Sequence, residues 1–260
     1  MKGLPSQSCG AREPISRAAT SAEPAAQLRV LSLFAGIGGF DLGLERTGGF
    51  QTVAFCEIDP FCRRVLAKHW PEVPCYDDVR TLTAERLGAD RIAVDAITAG
   101  FPCQDLSRAG KRHGMAGEHS GLWSEVARLV GELRPGLVLL ENVPELLVRG
   151  MGRVLGDLAT IGYDAEWDGI PAAAVGAPQL RARQWILAYP AGLGDRLSAE
   201  AIQTGWDHPS FRRGWACEPG ICRVGHGLPG QVDRLRTLGN AVVPQIPELI
   251  GRAILTARAA

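Results

Sequence analysis

The sequence carries no net charge, no long apolar run and no cysteine pattern that pairs off. Its 28 Lys and Arg balance 28 Asp and Glu over 260 residues. That balance excludes a protein that is basic overall, such as a coat for nucleic acid, and leaves room only for a local basic groove. No stretch approaches the roughly 20 uninterrupted apolar residues of a membrane span. No charged start followed by an apolar core marks a secretory leader, and no internal repeat is evident. The seven cysteines, Cys9, Cys56, Cys62, Cys75, Cys103, Cys217 and Cys222, are odd in number and widely scattered, unlike a disulfide framework. A soluble, cytoplasmic protein of a reducing compartment is expected, with at least one thiol free to act as a nucleophile.

What is present is enough to build a core. The chain is 46% hydrophobic and 22% charged, a balance that excludes global disorder and fits one main domain with a small appendage. Residues 1–27 mix Pro, Ser, Ala and isolated charges without apolar periodicity, so a disordered tail is expected there. From Leu28, short apolar runs of strand length (LRVLSLF, QTVAFCEID, a brief one within PEVPCYDDVRTL, AVDAITAGFPC and GLVLLENV) alternate with helical patterns (FDLGLERTG, PFCRRVLAKHW and GLWSEVARLVGELRP). That alternation predicts a parallel α/β sheet. Residues 190–234 lose periodicity, and the end of the chain reads as a closing helix with Ile246, Leu249, Ile250, Ala253 and Ile254 on its apolar stripe.

Five segments carry chemistry. In LSLFAGIGGFDLGLE, Gly36, Gly38 and Gly39 form a turn between a strand and a helix, where backbone N–H groups can approach a nucleotide-like ligand; a tight turn and nothing more is the plain alternative. About twenty residues on, CEID places Glu57 where an acidic residue accepts ribose hydroxyls. Ile58 is then set to pack on an adenine, and Asp59 before Pro60 is equally suited to capping a helix. Together these features point to a ribose-adenine cofactor and leave NAD and S-adenosylmethionine both open. In GFPCQDLSRAGKRHG, Cys103 follows a strand end and opens a polar loop whose Arg108, Lys111, Arg112 and His113 suit a phosphate backbone or simply face solvent. In LLENV, Glu141 closes an apolar strand, so burial should raise its pKa and fit it for proton donation; a structural pairing with an arginine is the alternative. In APQLRARQWILA, Gln179, Arg181 and Arg183 alternate, which places them on one face of a strand.

The ordered set FAGIGGFDLG, CEID, GFPCQDLS, ENV, QLRAR and TLGNAVVPQ resembles the DNA (cytosine-5) methyltransferase family, and most nearly its small phage and bacterial members. The resemblance implies a Rossmann-like α/β fold with a mostly parallel sheet and S-adenosylmethionine as cofactor. It also implies that Phe34, Gly36, Ile37 and Gly39 line the methionine end, with Glu57 on the ribose and Ile58 on the adenine. Asp78 and Val79 would meet the adenine edge, Gly100, Pro102 and Leu122 would complete the wall, and Asn240, Ala241 and Val242 would close it. For the chemistry it implies Cys103 as nucleophile toward carbon 6 of cytosine and Glu141 as donor to ring nitrogen 3. Arg181 would hold the base carbonyl or orient Glu141, with Arg183 and Gln179 in support.

The target cytosine lies inside a duplex, so base flipping is expected, with Gln104, Ser107, Arg108, Lys111 and Arg112 contacting DNA. The implied organisation is a catalytic domain over 28–189, a short target-recognition region over 190–234 and a returning segment over 235–260. Trp206, Phe211 and Trp215 of that region serve either as base contacts or as a minimal core. Cys217, Cys222, His226 and His208 have spacing irregular for a structural zinc site, and no metal is expected. Expected partners are duplex DNA and a companion restriction endonuclease, with the chain a monomer and no membrane involved. An RNA cytosine-5 methyltransferase and a non-catalytic DNA- or cofactor-binding relative are the competing readings.

Overall fold

Leu28–Leu33 is apolar at every position but Arg29 and Ser32, and it forms β1, buried on both faces of the sheet. The computed structural model describes residues 26–102, 121–192 and 240–259. After β1 the chain turns through Phe34 and Gly36, both at positive φ, into α1 (Gly39–Glu45), capped by Gly38 at φ 84°. A Cβ on Gly38 would lie 2.6 Å from the Trp70 ring, so both the backbone angle and the space require glycine there. β2 (Phe50–Cys56) leads to α2 (Pro60–His69). Asp59 caps that helix by accepting from the Phe61 and Cys62 N–H groups, with Pro60 in the first turn.

The short β3 (Cys75–Tyr76), α3 (Ala84–Ala89) and β4 (Ala96–Ala99) follow. α4 (Leu122–Leu133) buries Trp123, Val126, Leu129 and Val130 and stops at Arg134, just before Pro135. β5 (Leu137–Asn142) is buried throughout. Two helices, α5 (Leu146–Arg149) and α6 (Met151–Thr160), then precede a hairpin-like pair of strands. These are β6 (Tyr163–Pro171) and β7 (Ala182–Pro190), separated by a 3₁₀ turn at Ala172–Val175. α7 (Gln245–Ala259) buries all five residues of the expected stripe and begins only after Pro244.

The sheet has seven strands in the order β3-β2-β1-β4-β5-β7-β6. β1 to β5 pair in parallel, while β7 runs antiparallel to both β5 and β6. The architecture is the expected Rossmann-like α/β fold with a mostly parallel sheet. Side chains alternate between two cores. Leu31, Leu33, Ile97, Val138 and Leu140 pack with α4 and α6, whereas Val30, Ala96, Leu137, Leu139 and Trp185 pack with α1 and α7. The strand order reverses between β1 and β4, and ligands of open α/β sheets bind at the carboxyl ends of strands beside such a reversal.

One buried polar knot ties this region together. Asp41 of α1 is fully buried and accepts from Ser32 Oγ on β1 at 3.0 Å and Thr52 Oγ1 on β2 at 3.1 Å. Burial pushes its carboxyl up to about 7, against the opposing pull of those two hydroxyls. Among the described residues, no helix is long and apolar enough to cross a membrane, and Cys56, Cys62 and Cys75 are free thiols.

Candidate active site

A cavity of about 510 Å³ opens at the carboxyl ends of β1, β2, β4 and β5. Its floor is the turn after β1. Phe34, Gly36, Ile37 and Gly39 face it, and the Gly36 N–H donates to Glu57 Oε2 at 2.7 Å. Glu57 directly follows β2 and is only 8% exposed. Its other oxygen, Oε1, accepts from the Asp59 N–H at 2.8 Å, so two backbone donors fix the carboxylate. Ile58 is 64% exposed yet lines the cavity, an apolar plate left open beside a carboxylate. Asp78 and Val79 follow β3 and form the next stretch of wall, where Arg80 Nε lies 3.0 Å from Asp78 Oδ1. The Arg80 backbone and side-chain hydrogen bonds hold the Asp78 carboxyl below its ordinary value.

Gly100, Pro102 and Leu122 close the side toward β4 and α4. Glu141, near the end of β5, is 9% exposed and also lines the cavity. Its Oε2 lies 3.5 Å from where a Gly100 Cβ would stand. Arg183 Nε sits 2.9 Å from Glu141 Oε1. Burial raises the Glu141 carboxyl above the ordinary glutamate value, and the Arg183 and Arg181 charges pull it back. The next residue, Asn142, is buried and donates through Nδ2 to the Phe101 carbonyl at 2.9 Å, which pins the backbone leaving β4. The last wall is Asn240, Ala241 and Val242.

Every residue expected to hold a cofactor therefore borders this one cavity. The residues expected to act on the base divide. Glu141 lines the cavity with Arg183 paired to it. Arg181 instead directs Nη2 to the Ala241 carbonyl at 2.7 Å. Gln179 is exposed in a bend outside the cavity. The expected alternation on a single strand face is thus corrected. β7 begins at Ala182, and Arg181, at φ 28°, breaks the extended backbone before it. Cys103, Gln104, Ser107, Arg108, Lys111 and Arg112 lie outside the described residues, as do Trp206, Phe211, Trp215, His208, Cys217, Cys222 and His226.

Sequence reasoning missed several neighbours of the site. Cys56 and Cys62 line the cavity, and burial pushes the Cys56 thiol up to about 12, so it stays protonated and inert near neutral pH. Arg80 also lines the cavity, and its place two residues after Asp78 was an available signal. Asn142 was legible as the polar residue that ends an apolar strand.

Comparison with known proteins decides the family. The description C-5 cytosine-specific DNA methylase matches residues 28–210. The chain belongs to the C-5 cytosine-specific DNA methylase family. Among curated members, the Type II methyltransferase M2.BsuMI of Bacillus subtilis is 37% identical over 169 residues, covering 62% of this chain and 42% of that protein. The Type II methyltransferase M.Bsp6I of a Bacillus species is 34% identical over 168 residues, covering 62% of this chain and 52% of its own. The chain thus spans about half the length of these relatives. A crystal structure of a prophage-encoded E. coli protein, named as a DNA modification methyltransferase, is 29% identical with a TM-score of 0.57, covering 68% of this chain and 50% of that one. The S. pombe Dnmt2 methyltransferase shares the fold, with a TM-score of 0.58 over 75% of this chain and 58% of its own, at 22% identity. The family match includes every described wall of the cavity except Asn240, Ala241 and Val242.

Proposed function

We propose that this member of the C-5 cytosine-specific DNA methylase family transfers a methyl group from S-adenosylmethionine to carbon 5 of a cytosine flipped out of duplex DNA, through a covalent cysteine adduct. The observation that carries the reading is the single cavity. It joins a ribose-accepting carboxylate and an open apolar plate at β2 to a desolvated, cation-paired carboxylate at β5. The residues fit the cofactor. Glu57, locked by the Gly36 and Asp59 N–H groups, presents its carboxylate to two hydroxyls. Ile58 offers an apolar face to an adenine, and Asp78 and Val79 meet its edge. Phe34, Gly36, Ile37 and Gly39 hold the methionine end, while Gly100, Pro102, Leu122, Asn240, Ala241 and Val242 enclose the rest. When bound, the cofactor supplies an electrophilic sulfonium methyl.

The chain's own residues supply the activation of a poor nucleophile, carbon 5 of cytosine. Cys103 adds as thiolate to carbon 6, forming an S–C bond and making carbon 5 enamine-like. Glu141, whose proton affinity burial has raised, gives its proton to ring nitrogen 3 as the adduct forms. Arg183 fixes Glu141 Oε1 and leaves Oε2 on the Gly100 side. Once carbon 5 carries the methyl group, a base takes its proton, the S–C bond breaks as the thiolate departs, and ring nitrogen 3 gives its proton back to Glu141. Gln104, Ser107, Arg108, Lys111 and Arg112 contact the duplex, and residues 190–234 contribute to target choice. The Type II names of the relatives favour action beside a companion restriction endonuclease, and the reading places the chain in the cytoplasm as a monomer.

The test is transfer of labelled methyl from S-adenosylmethionine to unmethylated duplex DNA, with structured RNA in parallel. Transfer to DNA that Cys103→Ser abolishes is the expected result. Retained transfer in Cys103→Ser would remove the assigned nucleophile, and preference for RNA would replace the substrate.

A further inference from the structure

Arg181 stands immediately before β7 at φ 28°, a left-handed backbone that side chains other than glycine rarely adopt without enforcement by their surroundings. Its backbone carbonyl and its guanidinium are both engaged. Its carbonyl accepts from the Ala172 N–H at 3.2 Å. Its Nη2 donates at 2.7 Å to the carbonyl of Ala241, 60 positions along the chain. Ala241 and its neighbours Asn240 and Val242 all line the cavity, whereas Arg181 does not.

The same segment also rests on α1. A Cβ on Gly39 would lie 2.5 Å from the Val242 carbonyl oxygen, and one on Gly43 would lie 2.2 Å from the Pro244 oxygen. The segment is thus packed closely against two glycines and tied by a guanidinium. Ala241 to Val243 carry no regular secondary structure of their own, so these contacts rather than a helix or a strand set their path.

We propose that Arg181 is a positioning residue for the cofactor, which by holding the Ala241 carbonyl sets the Asn240–Val242 wall of the cavity. The inference rests on the cofactor reading given under Proposed function. It gives Arg181 a role beside that of Arg183, which stands two residues on and ion-pairs with Glu141 at 2.9 Å, although both charges act on that carboxyl. An arginine that contacted the base would leave cofactor affinity intact and lower turnover. A wall-setting arginine weakens cofactor affinity without touching the cofactor.

The experiment is calorimetric titration of the full chain with S-adenosylhomocysteine in the absence of DNA, with thermal unfolding midpoints as a check on folding. Arg181→Ala should weaken binding about tenfold, a typical coupling factor between linked sites, while Arg183→Ala stays within about twofold of wild type. Arg181→Lys keeps the charge but replaces the guanidinium whose Nη2 reaches the Ala241 carbonyl by an ammonium on a shorter stem, so it should also bind more weakly at an unchanged midpoint. It serves in place of the alanine variant if that variant does not fold. Wild-type affinity in Arg181→Lys, or equal weakening by Arg183→Ala, overturns the inference and leaves the cofactor reading standing. Absence of binding by the wild-type chain overturns both.

Discussion

Glu57 and Glu141 end up almost equally deep, at 8% and 9% exposure, in the same cavity at the carboxyl ends of β2 and β5. What differs is the kind of donor that holds each. Glu57 takes two backbone N–H groups, from Gly36 and Asp59, which cannot move without moving the turn after β1 and the start of α2. Glu141 takes a guanidinium on a flexible stem, from Arg183 on the antiparallel strand β7. A carboxylate locked by backbone donors is suited to hold a ligand in fixed geometry. One that faces a side-chain cation in a desolvated setting is suited to exchange a proton. Depth of burial is therefore a poor guide to role here; the donor set separates the two.

The largest expected effect breaks the comparison at its catalytic end. Glu141→Gln keeps the shape and loses the proton, so turnover should fall by about 10²–10⁴-fold, with cofactor affinity nearly unchanged. In the wild type the rate should decline as pH rises through the raised Glu141 pKa, and the variant should lack that limb. Stopped assays across pH at saturating cofactor check both. An equal loss of cofactor affinity would merge the two roles.

Asp41 extends the comparison to a carboxylate buried outside the cavity, held by hydroxyls with its pKa at about 7. Because the folded value lies above the ordinary 3.8, the fold favours the protonated form. Stability should therefore fall as pH rises from about 4 to about 7. Asp41→Asn removes this slope and should exceed the wild type by up to about 4 kcal/mol at pH 8, with little advantage near pH 4. Denaturant melts at the two pH values measure it, and a pH-independent difference would contradict it.

A smaller effect lies at the cofactor end. Glu57→Ala removes acceptors worth about 2 kcal/mol, so S-adenosylhomocysteine should bind roughly 30-fold more weakly, while turnover at saturating cofactor changes little. A turnover collapse at saturation would assign Glu57 to the chemistry.

The parallel half of the fold was legible because β1, β2, β4 and β5 are compact apolar runs between helical patterns. At the antiparallel end β7 was read as a strand from APQLRARQWILA, starting a few residues early, and β6 was not read. β6 is an edge strand with Asp164, Glu166, Asp168 and Gly169 among its nine residues and much of its length exposed. Its extended form comes from pairing with β7, a long-range contact that local pattern does not encode. α3, α5 and α6 also went unread; α3 and α5 are too short to show a helical period. At the site, the cavity walls followed from motif order. The different contacts of Arg181 and Arg183 did not, because they depend on one backbone angle at Arg181 and on a carbonyl 60 residues away.

The most direct test of the central claim is mass spectrometry of nucleosides from unmethylated genomic duplex DNA incubated with the chain and S-adenosylmethionine, with Glu141→Gln alongside. The account predicts 5-methyldeoxycytidine from the wild type, reduced at least a hundredfold in the variant, in keeping with the contribution of a general acid of about 10²–10⁴-fold. Methyl groups on adenine or on an exocyclic nitrogen of cytosine, or equal 5-methyldeoxycytidine from both proteins, would contradict it.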